Sequence, residues 1–215
     1  MRMSRGVLAL VCLLGSPLWA ADAQMEPKPY DLLFRNGTLG DIPADRALVY
    51  DRDVQNSLTP AAATRDTGLV VLGIEEGERP QAELQFRQDS KHRNLGSFPA
   101  SVGNPIIMYF VETVVRDMAE SVGGSPFYIR NRVKESLLRP AERAESAEGV
   151  SLTLRPFDGD PNAARMQGFD RLALTVTMSD EVPGWYRSLR ADVPGADGGA
   201  PIYSSVMTFE TLEAE

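Results

Sequence analysis

The chain has 215 residues, with 22 lysines and arginines, 30 aspartates and glutamates, one histidine and one cysteine, and its formal net charge is −8. One histidine and one cysteine exclude a zinc site of the cysteine–histidine kind and a disulfide framework. The negative charge disfavours a nucleic-acid binder that works by broad phosphate neutralisation. A hydrophobic content of 43% is that of a globular chain.

The first residues have the pattern of a secretory signal peptide. Two arginines precede a short apolar run, and residues 21–23 read Ala-Asp-Ala, an A-x-A cleavage site. We expect cleavage after Ala23, with cleavage after Ala20 as the alternative. Removal of residues 1–23 takes away the only cysteine, Cys12, and no later run is long and apolar enough to span a membrane. The sequence therefore predicts a periplasmic protein, or alternatively one secreted from the cell, without a transmembrane anchor.

The block from residue 24 to about residue 99 reads as strands separated by turns. Its strand-like segments are Ala47–Val54, Thr67–Ile74 and Gln81–Gln88. In the last segment apolar residues alternate with polar ones, which is typical of a strand with one buried face. Alternation is lost within Leu69–Leu72, which predicts burial on both faces. Residues 57–66 read as a loop or a single helical turn.

Residues 104–139 predict a helical hairpin. Asn104 and Pro105 suit the cap and the first position of a helix over Ile106–Val122. Two glycines end this helix, and a second helix begins at once and runs to about Arg139. The first helix is apolar around much of its circumference, so we expect it to be buried deeply.

The apolar stripe of the first helix is a candidate ligand-binding surface. Its candidate residues are Ile107, Met108, Phe110, Val111, Val114 and Met118. A stripe of this kind either lines an adaptable pocket for a flexible apolar ligand or fills the core between sheet and helix.

The second helix carries a cationic face in an otherwise acidic chain. Arg130, Arg132 and Lys134 form it. They could receive an anionic partner or a lipid headgroup, or they could be an ordinary solvated helix face.

Residues 140–148 read as a charged, solvated connection or as the frayed end of the second helix, and strand-like segments follow them. These are Val150–Phe157, Gly168–Ser179, Tyr186–Ala191 and Ile202–Leu212. Together the three blocks predict one α+β domain over residues 24–215. We expect a curved antiparallel sheet of about seven or eight strands, covered on one face by the helical hairpin.

Two further patterns carry possible chemistry. Asp158, Asp160 and Asn162 have the alternate spacing of the first half of a calcium loop, although the glycine and the final glutamate of such a loop are missing. Asx-turns at a polar hairpin tip explain the same residues. His92 lies between two cationic residues and is a candidate general base, or else a solvated histidine of a loop or an edge strand.

The segment Leu174–Tyr186 ends a strand in an acidic Pro-Gly corner. With the signal peptide, the cysteine-free remainder and the helical insertion between strands, the plan resembles uncharacterised proteobacterial periplasmic proteins with a curved antiparallel sheet. In style it is similar to the half-barrel lipoprotein carriers. Such carriers hold acyl chains between a curved sheet and helices, so the resemblance implies an apolar ligand.

The sequence predicts an exported, non-enzymatic protein that binds an apolar or lipid-like ligand or a partner in the cell envelope, and it indicates no cofactor. Two other classes stay open. One is a periplasmic hydrolase that uses His92 or a calcium-dependent site at residues 158–162. The other is a structural protein that assembles with another envelope protein.

Overall fold

The computed structural model of the protein describes residues 28–214, so the predicted signal peptide and its cleavage site lie outside the described residues. The described chain is α+β. Its four α-helices are α1 Pro29–Leu33, α2 Pro60–Asp66, α3 Ile106–Val122 and α4 Pro126–Ser136. Its first four strands are β1 Arg46–Asn56, β2 Gly68–Glu75, β3 Gln81–Gln88 and β4 Lys91–Pro99. The other five are β5 Glu142–Ser146, β6 Gly149–Leu154, β7 Ala173–Met178, β8 Tyr186–Val193 and β9 Tyr203–Ala214.

All nine strands belong to one curved, open antiparallel sheet in the order β4-β3-β2-β1-β9-β8-β7-β6-β5. Two meanders make it up, one from β1 to β4 and one from β5 to β9. They join through β1 and β9, which pair from Arg46–Ala214 to Asn56–Tyr203 with one register shift after Val49. The first and the last strands of the described residues therefore form the centre of the sheet.

The helical hairpin of α3 and α4 connects β4 with β5, the two edge strands. Because these edges lie at opposite ends of the sheet, the connection passes across it. The predicted ends of α3 are confirmed. Asn104 Oδ1 accepts a hydrogen bond from the N–H of Ile106 at 3.1 Å, and Gly123 adopts a left-handed conformation at φ 69°.

The hydrophobic core lies between the helices and one face of the sheet. Alternate strand residues such as Leu48, Leu72 and Leu84 meet Phe110 and Val114 of α3 in this core. On the opposite face a small cluster contains Ala47, Val49 and Val71. Val70, Val71 and Leu72 are thus all buried, as the unbroken apolar run predicts, whereas Leu69 remains 37% exposed.

Charged side chains are buried where α3 crosses β1 and β9. Arg52 of β1 is fully buried and donates from Nη1 to the hydroxyl of Tyr109 at 3.3 Å. Its Nη2 lies 3.8 Å from Oδ2 of Asp117. The hydroxyl of Tyr203 donates to the same carboxylate oxygen at 2.9 Å. Strand β1, helix α3 and strand β9 therefore share one buried polar contact.

Two further arginines reach this cluster from its solvent side. Arg65 and Arg116 lie 3.2 Å and 3.1 Å from Oδ1 of Asp117. Arg116 also pairs with Asp66 at 2.5 Å, and Arg65 pairs with Glu120 at 3.1 Å. The pairs link α2 to α3 and bring three positive charges against three negative charges.

The sequence-based prediction of about seven or eight strands was too low by one or two, because the two edge strands were not identified. β5 is exposed along its length, and β4 is exposed or only partly buried. Their sequences therefore lack the apolar alternation by which the inner strands are identified. The prediction of a connection or a frayed helix end over residues 140–148 was wrong, since 142–146 form β5. The expected strand over Gly168–Ser179 begins only at Ala173, because Phe169–Arg171 forms a 3-10 turn.

Within residues 28–214, no helix has the length and apolar character needed to cross a membrane.

Replacement of the buried arginine tests the polar contact at the centre of the sheet. We expect Arg52→Ala to lower the free energy of unfolding by about 3–5 kcal/mol, because a buried carboxylate loses one cationic partner. Burial already raises the pKa of Asp117, and Arg52 is one of the charges that oppose this rise. Urea denaturation measures the loss. The matched control is Arg190→Ala on β8, whose side chain is 54% exposed and pairs with Asp192. It should cost less than about 1 kcal/mol, and equal losses in the two variants would contradict the role assigned to Arg52.

Candidate functional site

An apolar groove opens at one end of the helical hairpin. Its walls come from α1, from the end of β4 and the turn that follows it, from the start of α3 and from the end of α4. The cavity volume is about 800 Å³, within the range of roughly 300–1,000 Å³ that is usual for small-molecule sites. We call it the apolar groove, and its exposed apolar residues are Tyr30, Phe98, Val102, Met108 and Leu138.

Exposed apolar side chains are concentrated at this groove. Eight large apolar side chains are exposed within the described residues, and five of them line it. Met108 is 45% exposed and Leu138 is 84% exposed. Scattered apolar residues on a surface need no explanation, but a contiguous apolar patch marks a binding surface or an aggregation hazard.

One wall of the apolar groove, helix α1, is hydrogen-bonded to residues at the start of β8. The indole N–H of Trp185 donates to the carbonyl oxygen of Leu32 at 2.9 Å. The hydroxyl of Tyr186 donates to the carbonyl oxygen of Leu33 at 2.5 Å. These two bonds satisfy carbonyl groups at the end of α1, a helix of only five residues. Such a short helix is not stable by itself, so its position depends on Trp185 and Tyr186.

Another wall, the start of α3, is hydrogen-bonded to the same segment, residues 184–186. Asn104 donates from Nδ2 to the carbonyl oxygen of Gly184 at 2.9 Å. Gly184 has φ 77°, and a Cβ atom there would lie 2.5 Å from Leu48 Cδ1 and 3.0 Å from Asn104 Nδ2. Only glycine fits this approach without strain. Trp185, the next residue, also has a positive φ of 81°, which a non-glycine residue adopts at a cost.

The predicted ligand-binding stripe divides between the groove and the core. Ile107 and Met108 line the apolar groove. Phe110, Val114 and Met118 are almost fully buried and belong to the core. Val111 is partly buried and packs against this core. Helical periodicity identifies the apolar face of α3, but it does not separate the turn at the groove from the turns over the sheet.

The predicted cationic face of α4 is largely neutralised. Arg130 donates to both carboxylate oxygens of Glu112 at 2.6 Å, and these hydrogen bonds hold the pKa of Glu112 below its usual range. Arg132 pairs with Glu135 at 2.7 Å. Lys134 is exposed, lines the apolar groove and forms no ion pair with any residue of 28–214. Of the three cations, Lys134 is therefore the one outside an ion pair among the described residues, and its charge contributes only through space to the lowered pKa of Glu112.

The calcium-like segment forms a hairpin tip that packs against α4. Asp160 is buried, and the hydroxyl of Tyr128 lies 2.8 Å from both of its carboxylate oxygens. Arg132 Nε lies 2.8 Å from Oδ2, and the backbone N–H of Asn162 donates to Oδ1 at 2.8 Å. The last contact is the Asx-turn of the alternative interpretation. The side chain of Asp158 is exposed, and calcium binding by the three residues stays a prediction.

Burial opposes the ionisation of Asp160. The N–H of Asn162, the hydroxyl of Tyr128 and the guanidinium of Arg132 outweigh it and hold the pKa of Asp160 below its usual value. The described residues contain no group of three or more histidine, cysteine or acidic side chains that could hold a metal ion.

His92 lies on β4, at one edge of the sheet. It is exposed and pairs across the strands with Arg87. Within the described part of the chain no hydrogen bond or ion pair joins it to another side chain, and it is not among the residues that line the apolar groove.

Sequence reasoning missed most of the groove. Tyr30 and Phe34 lie on or just after the short α1, Phe98 lies near the end of β4, and Val102 ends the 3-10 turn that follows it. Such isolated residues have no periodicity. The one available signal was that these large apolar residues belong to no amphipathic pattern.

Comparisons with known proteins identify no family. No family model matches the chain, and no curated protein matches it.

The Asp160 contacts predict a dependence of stability on pH. Because the pKa of Asp160 is lowered in the folded protein, its ionised carboxylate stabilises the fold at pH values above its ordinary pKa of 3.8. This stabilisation is lost as the pH falls through the lower pKa of the folded state. We expect Asp160→Asn to be less stable than the unchanged protein at pH 7, and the difference to shrink below about pH 4. Urea midpoints at several pH values measure it. Asp158→Asn, at the exposed neighbour, should shift stability at pH 7 by less than about 0.5 kcal/mol. A constant difference from pH 7 to pH 3 would contradict the assignment.

Proposed function

We propose that the protein is an exported, non-enzymatic binder of an apolar ligand, which it holds in the apolar groove. The observation that carries the proposal is the convergence of five exposed apolar side chains on one cavity of about 800 Å³. Water is a poor solvent for such a surface, and covering it with an apolar chain contributes roughly 25 cal/mol per Å² of buried apolar area.

The groove is favoured over the space between sheet and helices as the ligand site. Phe110, Val114 and Met118 fill the latter with side chains that are about 1% exposed. A ligand there would have to displace close-packed core atoms, which is costly. This arrangement differs from that of the carriers the sequence resembles, in which acyl chains lie between the sheet and the helices.

Two walls of the groove are held in place by hydrogen bonds to the segment at the start of β8. α1 and the start of α3 are both bonded to residues 184–186, through Trp185, Tyr186 and Gly184. A site whose walls are already positioned loses less conformational entropy when it binds. This supports a binding role rather than a surface that is exposed by accident.

Export is part of the proposal, and the sequence pattern of residues 1–23 supports it. A protein made with this segment in a bacterial host should be found in the periplasm, or alternatively in the medium. N-terminal sequencing should then begin at Gln24, or at Ala21 if the alternative site is used. Recovery of the uncleaved chain in the cytoplasm would contradict the localisation and leave the groove untouched.

A charge placed in the groove tests ligand binding. We expect Met108→Asp to weaken the binding of the apolar dye phenylnaphthylamine by about tenfold or more, because a carboxylate in the site either loses its hydration or excludes the dye. Dye fluorescence titration measures the dissociation constant.

Phe127→Asp is the matched control for this experiment. Phe127 is 76% exposed and lies in the first turn of α4, as Met108 lies in the first turn of α3, but it does not line the groove. Its variant should bind the dye like the unchanged protein. Absence of dye binding in the unchanged protein, or an equal loss in both variants, would contradict the proposal.

A further inference from the structure

The charges around the apolar groove differ from those of the rest of the protein. No aspartate or glutamate lines it, and its two charged residues are Arg35 and Lys134. The chain as a whole carries 30 acidic residues and a net charge of −8. Four other cavities in the described part of the chain are each lined by at least two carboxylates, for example Asp180 and Glu181 in one and Glu112 and Glu120 in another.

The two groove cations are not equivalent. Arg35 pairs with Asp180 at 2.6 Å, and its guanidinium carbon lies 4.4 Å from the ring centroid of Trp185. Arg35 therefore already has a carboxylate partner at the protein surface. Lys134 forms no such ion pair within residues 28–214, although its charge acts together with Arg130 to lower the pKa of Glu112. Its nearest cationic neighbours on α4, Arg130 and Arg132, are both paired. An anion in the groove would meet Lys134 as an available positive charge.

Building on the proposed function, we propose that the ligand is a single-chain amphiphile with an anionic headgroup, such as the carboxylate of a fatty acid, bound as a monomer. Its chain lies against the side chains of Tyr30, Met108 and Leu138, and its headgroup lies at Lys134. The absence of carboxylates from the lining removes the repulsion that an anion would meet at the other cavities. One exposed ion pair adds a modest part of the affinity, and the apolar chain supplies the rest.

A free amphiphile suits this site better than the surface of a membrane. The site is a concave cavity of about 800 Å³, as large as ligand pockets commonly are. A net charge of −8 would repel the chain from an anionic bilayer, whose attraction needs clusters of basic residues. A lone lysine in a groove recognises one headgroup rather than many.

The test compares two ligands that differ in their headgroup. Dodecanoate and dodecanol carry the same chain, and isothermal titration calorimetry below their aggregation concentrations measures both. We expect Lys134→Gln to weaken dodecanoate binding by about two- to fivefold and to leave dodecanol binding unchanged. The effect should shrink between about 0.05 M and 0.5 M salt, because the pair is exposed to screening. Lys91→Gln, at the exposed start of β4, is the matched control and should change neither.

The outcomes separate this inference from the proposed function. If neither ligand binds the unchanged protein, the proposed function fails. If both bind and Lys134→Gln weakens neither, or weakens both equally, the apolar site stands and the anionic headgroup is wrong. Binding to anionic vesicles without binding of monomeric dodecanoate would overturn the inference in favour of a membrane surface. A stable dimer that buries Met108 in its interface would overturn it in favour of a second copy of the chain.

Discussion

The pairing of β1 with β9 is the constraint on which the rest of the structure depends. It joins two meanders that are otherwise built from local connections, and it brings together segments about 150 to 170 residues apart in the chain. Closing so large a loop is entropically costly. Polar contacts across β1, β9 and α3 help to offset this cost. Arg52 of β1 and Tyr203 of β9 both reach Asp117 of α3. This buried polar contact thus helps to fix the position of the helical hairpin over the β1–β9 pair.

The corner at residues 184–186 connects this framework to the apolar groove. Gly184 packs against Leu48 of the central strand β1, and Tyr186 is the first residue of β8. From here hydrogen bonds extend to α1 and to the residue that caps α3. The positive φ values of Gly184 and Trp185 are the local cost of this geometry. Two of the groove walls, α1 and the start of α3, are therefore held in place by hydrogen bonds to this corner.

The same physics explains which elements could be predicted. β3 alternates between buried and partly exposed residues along its length, and its sequence shows this alternation. Asn104, Pro105 and Gly123 mark the ends of α3 through groups that act within a few residues. β4 and β5 are stabilised by backbone pairing to one neighbour and bury few apolar side chains. An edge strand of this kind leaves little trace in a hydrophobicity pattern, so both were missed.

For the candidate site, the sequence by itself determined the α+β class, the helical hairpin, the apolar character of α3 and the cations of α4. These properties are local, because they depend on spacing along one helix. Only the tertiary structure decided that Met108 is exposed while Phe110 is buried, and that Arg130 forms an ion pair while Lys134 forms none with residues 28–214. Burial and ion pairing depend on residues that are far away in the chain, such as Tyr30, Phe98 and Glu112. No pattern within a single segment contains that information.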